Sequence, residues 1–203
     1  MNQENLRPLL TLWVKPRETT RQILDSNNSK FYICLVILAG ISGALNNAVE
    51  QGAGDEQSFP FTMILAMILG ILGGLLSWYI VSLILYWTGT WIGGEATREQ
   101  IKIAFGWSNF YIILTMLLWI INILMFGQDL FTSENQNSTA IMYIGILELI
   151  IGIWSFIVLV KMIAEAQHFS VWKGLGNILL TILVVMVPLA ILGGIISLLI
   201  LSF

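Results

Sequence analysis

The sequence predicts an all-α integral membrane protein: a bundle of five transmembrane helices preceded by a short interfacial helix. Three observations predict it. Of 203 residues, 57% are apolar and 10% charged, with a mean hydropathy of +0.86, against about 25% charged residues in a soluble domain. The apolar residues gather in five runs, at 31–49, 61–87, 100–126, 139–163 and 174–203, each matching the roughly 20 helical residues that cross a bilayer. Among all the charged residues, only Lys102, Glu148 and Lys161 lie inside those runs. The runs are continuous and lack the alternation of a barrel strand, so helices are the spanning form.

The first 30 residues are too few to bury a core and read as a cytoplasmic or interfacial arm, with 31–203 as the transmembrane domain. Leu9, Leu10, Leu12 and Trp13 beside Lys15 and Arg17 suit the headgroup zone. Pro16 is placed to open a helix running to about Asp25, with Ile23 and Leu24 on its apolar side. This arm either packs beneath the bundle or docks a partner or lipid. Its polar lead is too long for the n-region of a cleaved signal peptide.

The first span carries Ala39 and Gly43, with Asn46 and Asn47 near its far end. The second carries a small-residue face of Ala66, Gly70, Gly73, Gly74 and Ser77. The spacing Gly70-x-x-x-Gly74 suits close backbone approach, within the bundle or between two copies. After it, Gly93-Gly94 demands a tight turn, and Thr97 with Gln100 forms a capping box that starts span three. Trp87, Trp91 and Trp107 can sit in an aromatic belt. Asn109 and Asn122 lie in span three. The triplet Asn137-Ser138-Thr139 lies so close to span four that it reads as chance composition rather than a glycosylation site.

In span four, Gly145, Glu148, Gly152 and Ser155 fall on one helical stripe. Glu148 lies near mid-depth, where an ionised acid costs about 2.5–3.5 kcal/mol. It is therefore expected to face the bundle interior, neutral or hydrogen-bonded, with Asn109 at similar depth as its partner. The bland role is to bond helices together; the sharper one is a proton or cation relay. Gly145 and Gly152, like Gly70 and Gly74, are candidates for a packing or dimer face. The connection from Glu165 to Lys173 is short and holds His168, the single histidine. Pro188 is expected to kink the fifth span without dividing it.

The basic residues set the sidedness. Arg7, Lys15, Arg17, Arg21 and Lys30 precede span one, Arg98 and Lys102 start span three, and Lys161 and Lys173 flank the fourth connection. The connections 50–60 and 127–138 have no Lys or Arg and carry Glu50, Asp55, Glu56, Asp129 and Glu134. By the positive-inside rule the N-terminus is cytoplasmic and the C-terminus outside, in a multi-pass cell membrane protein.

The same residues exclude several functions. A net charge of −3 with nine basic residues offers no stripe to track nucleic-acid phosphates. One cysteine, Cys34, makes no disulfide framework. One histidine and one cysteine make no zinc site. A single deep acid makes no carboxylate pair, and His168 has only Glu165 near it for a triad. No glycine loop with a lysine cradles phosphate. No catalytic residue, metal or cofactor is expected.

Three segments in order carry a resemblance: the lead Trp13-x-x-Pro16, the turn Gly89…Gly93-Gly94, and Ala166-x-His168-x-Ser170-x-x-Lys173. Over nearly the whole chain this pattern resembles the Yip1 domain family of five-span membrane proteins. The family often has a proline partway into span three, where this chain has Ser108-Asn109-Phe110. The sequence shows none of the long N-terminal region with a Tyr-Gly-Pro type motif found in eukaryotic members, so the resemblance implies a bacterial-type member. It implies a non-catalytic accessory or assembly factor that assists an export system of the ABC type or trafficking machinery. Trp13, Pro16, Gly93, Gly94 and His168 would then offer an inner contact surface to a membrane-protein partner, alongside the bilayer and a second copy of the chain. The alternative is a small transporter or channel built on Glu148.

Overall fold

The computed structural model describes residues 8–26, 30–134 and 139–201, and among them every regular element is helical. The Asn137-Ser138 part of the triplet lies outside the described residues. Five helices are long and apolar enough to cross a membrane. Span one is Phe31–Glu50, span two Phe59–Trp91, span four Thr139–Ala166 and span five Val171–Leu201. Span five continues through Pro188. Span three is made of two α-helices, Arg98–Trp107 and Ile112–Phe126, joined by a 3-10 turn at Ser108–Tyr111.

That break has a local cause. The Ser108 hydroxyl donates to the Phe105 carbonyl at 2.7 Å, and the Asn109 amide donates to the carbonyls of Phe105 and Gly106 at 3.0 and 3.3 Å. Side-chain donors that compete for helix carbonyls tighten or bend the ladder.

The arm helix, Pro16–Asp25, opens on Pro16 as its sequence predicts. Leu12 and Ile23 are buried beneath spans one, three and four, in a cluster with Tyr32, Trp107, Phe110 and Met162. A second cluster joins Leu85, Ile101, Ile163 and Ile178. A third, at the far end of the bundle, joins Leu45, Trp119 and Phe131. Trp107 therefore packs in the core, with its ring centroid 5.5 Å from that of Phe31, and does not share the exposure of Trp87 and Trp91.

Spans one and two make the most extensive helix contact. A Cβ on Gly70 would stand 2.6 Å from Ile41 Cα, and one on Gly74 would stand 2.7 Å from Gly40 Cα. Only glycine permits this approach, which substitutes dispersion contact for the hydrophobic force that lipid cannot supply. Gly70 and Gly74 are thus spent within the chain. The outward surface is inverted relative to a soluble protein: Leu72, Leu76 and Leu124 are exposed along with many other large apolar side chains. Such a continuous apolar surface is stable against lipid and not against water.

At the far end the two acidic connections are stitched together. The Asp55 carboxylate accepts from the Ser133 hydroxyl at 2.6 Å and from its N–H at 3.2 Å, while Gln128 donates to the Gly54 carbonyl.

Candidate functional site at the basic end of the bundle

At the basic end, the last turn of span four organises three connections. Arg17 and Arg21 lie four residues apart on the arm helix, hence on one face. Arg17 Nε donates to Glu165 Oε2 at 2.9 Å, and Arg21 donates to Glu165 Oε1 through Nη2 at 2.5 Å and Nε at 3.0 Å. Arg17 also donates to the Phe169 carbonyl at 3.1 Å. Glu165 is buried while both guanidinium groups reach the surface. The hydrogen bond and the charge of Glu165 together push Arg21 above its usual range. Charge-assisted bonds of this kind are about twice as strong as neutral ones, so the arm is fastened to the bundle.

Span four ends on a Schellman motif. Phe169 N–H donates to the Ala164 carbonyl at 2.7 Å and His168 N–H to the Glu165 carbonyl at 3.2 Å. His168 occupies the left-handed position of that motif with φ 56°, a place usually held by glycine. Its imidazole is exposed. Ser170 then caps span five by accepting from Lys173 N–H at 3.3 Å. The Lys173 ammonium lies 4.4 Å from the Phe169 ring centroid, and the turn glycine Gly93, with φ 80°, approaches the same ammonium. Thr97 and Gln100 form the capping box at the start of span three.

Between His168 and span two lies a residue that the sequence did not single out. Gln167 is fully buried. Its Oε1 accepts from Ala96 N–H at 3.2 Å, and its Nε2 has no hydrogen-bond partner. A Cβ on Gly89 would stand 2.8 Å from Gln167 Cδ, and one on Gly94 would stand 2.7 Å from it. Beside it, Asn177 is fully buried and donates to the Leu85 carbonyl at 3.3 Å. Thr88 donates to Asn177 Oδ1 at 2.7 Å and contacts the Thr181 hydroxyl at the same distance. Span two, span five and two connections are therefore tied by amides and hydroxyls. None of these groups ionises near neutral pH, so the cluster carries no charge and ties the segments by hydrogen bonds alone.

The structure does not bring Glu148 and Asn109 together. Asn109 spends its amide on its own helix. Glu148 is half-buried, with no hydrogen-bonded partner among the described residues. Gly145 and Gly152, expected on an inward stripe with it, are exposed, and a Cβ on either would meet open space. Trp13 packs edge-on against Phe110 at 4.9 Å, and Pro16 is buried. Glu165, the one acid near His168, is taken by the two arginines. Among the described residues no group of His, Cys, Asp and Glu can hold a metal ion.

Compared with known proteins, residues 10–202 match the family model described as the Yip1 domain. No curated protein and no solved structure matches the chain.

Proposed function

Because the chain belongs to the Yip1 domain family and is a multi-pass membrane protein, we propose that it is a non-catalytic accessory or assembly factor which binds a membrane-protein partner through its basic end. The carrying observation is that three separate segments meet there. Glu165 holds the arm, Gln167 holds the connection at Ala96, and Lys173 reaches the Gly93 turn. Leu10, Val14, Trp91 and Trp172 are all exposed near this surface, and exposed aromatic groups are the usual anchors of an interface. Under the positive-inside rule this end lies in the cytoplasm of a bacterial cell. The partner class that the family resemblance implies is an export system of the ABC type.

Chemical crosslinking and pulldown from native membranes test this. A defined membrane partner should copurify with the native chain, and Val14→Ser combined with Trp172→Ala should reduce it about tenfold. Absence of a stable partner, or indifference to both substitutions, overturns the reading.

The second reading, a small transporter, draws on Glu148 as a half-buried carboxyl in a span without a bonded partner among the described residues. Proton or cation flux into liposomes that Glu148→Gln abolishes would favour it over the accessory role. Flux at background in both proteins would end it.

A further inference from the structure

We propose that a groove bordered by the first three spans binds one acyl chain of a zwitterionic phospholipid, with the lipid head at the acidic end of the bundle. The groove encloses about 630 Å³, within the range of small-ligand sites. Its wall on span two runs from Thr62 to Val81, about 28 Å at 1.5 Å per residue. The space open to the centre of a water molecule then has a mean cross-section of about 22 Å², roughly 5 Å across, or about 8 Å from wall to wall once a water radius of about 1.4 Å is added on each side. A helix with its side chains is about 10–12 Å wide and does not sink between such walls. A single hydrocarbon chain does, since its carbons stand about 4 Å from their neighbours.

Glycines produce this shape. Gly40, Gly70 and Gly74 bring the two backbones together along one line, while Gly43 and Gly73 beside them face open space. No atom of another helix stands within 4 Å of where a Cβ on either would lie, so the gap beside them is open. The lining contains no Lys, Arg, Asp or Glu.

Its polar groups are unequal at the two ends. Toward the basic end, Ser77 donates to the Gly74 carbonyl and Asn109 donates to its own helix. At the acidic end, Asn47 Oδ1 accepts from Gln51 at 2.7 Å, which leaves the Asn47 amide protons and the Gln57 carboxamide to meet a ligand. Amide N–H groups suit the phosphate and ester oxygens of a lipid head. The exposed Glu50, Asp55 and Glu56 nearby oppose an anionic head and favour a zwitterionic one, whose net charge is zero.

The test uses the full chain in phosphatidylcholine vesicles that contain a small fraction of phosphatidylcholine with a diazirine on one acyl chain. After irradiation, adducts are mapped by mass spectrometry. They should concentrate on residues 39–48 and 65–81, and Gly73→Leu should reduce them there about tenfold while label elsewhere is unchanged. Gly43→Leu is a second groove-filling variant, and Gly145→Leu, also in open space but outside the groove, is the control. Helicity by circular dichroism verifies folding, and the map of the native chain is decisive by itself should a variant not fold. Even labelling over all lipid-facing helices overturns the proposal. So does disulfide linkage of two Gly43→Cys chains across this face, which would make it an interface between copies.

Discussion

The carboxamide of Gln167 occupies the space in which a Cβ of Gly94 would stand, with Gln167 Cδ 2.7 Å from that position. The same carboxamide accepts from Ala96 N–H two residues on. One buried amide thus sets both the residue type of the turn and its path. Gly94→Ala must displace Gln167 and break that hydrogen bond. Overpacking costs about 1–3 kcal/mol, so the melting temperature in detergent should fall. In a Gln167→Ala background the added cost of Gly94→Ala should shrink, because the carboxamide clash has gone and only the Gly89 carbonyl, 2.9 Å from the new Cβ, still opposes it. Additive losses in this double-mutant cycle would show that the two residues are not coupled.

Much of this architecture is legible in the sequence because membrane spans leave a simple signal. Charge and hydropathy place five spans, and the observed ends differ from the predicted ones by a few residues. Pro16 and Thr97 mark helix starts by local chemistry alone. What hydropathy cannot separate is a helix face that packs from one that meets lipid, since both are apolar. Hence the stripe of Gly145 and Gly152, expected inside, is exposed, whereas Trp107, expected in the belt, is in the core. Gln167 carries no periodic signal at all: its acceptor bond to Ala96 spans 71 residues. The 3-10 turn at Ser108–Tyr111 depends on where two polar side chains point.

The arm should come away from the bundle when its ion pairs are removed. Arg17 supplies two of the bonds that fasten it, to Glu165 and to the Phe169 carbonyl. Arg17 is half-exposed, so its removal should cost only on the order of 1 kcal/mol of global stability. The local effect is larger. In Arg17→Ala, the amides of residues 17–25 should exchange hydrogen faster while those of the spans stay protected. Arm protection equal to that of the native chain would show that the apolar contacts of Leu12 and Ile23 suffice.

His168 separates a turn role from a contact role. At φ 56° a residue with a Cβ is strained, and glycine relieves that by about 1 kcal/mol. His168→Gly should therefore raise the melting temperature. As a member of the proposed contact surface, its exposed imidazole should also matter to partner capture, so the same variant should be more stable yet bind less. Higher stability with undiminished capture would assign His168 to the turn alone.

Sidedness gives the broadest test. The Arg17–Glu165 and Gln167–Ala96 bonds require the arm and the second and fourth connections to share one end of the bundle. The Asp55–Ser133 bond requires the first and third connections to share the other. Reporter fusions should divide accordingly: residues 95 and 168 should read alike, and 55 and 133 alike and opposite. By the positive-inside rule the first pair is expected to be the cytoplasmic one. A reversal of both pairs would keep this fold and overturn the orientation, moving the proposed contact surface outside the cell. Disagreement within a pair is the more severe outcome, since no folded chain with these cross-connections could satisfy it.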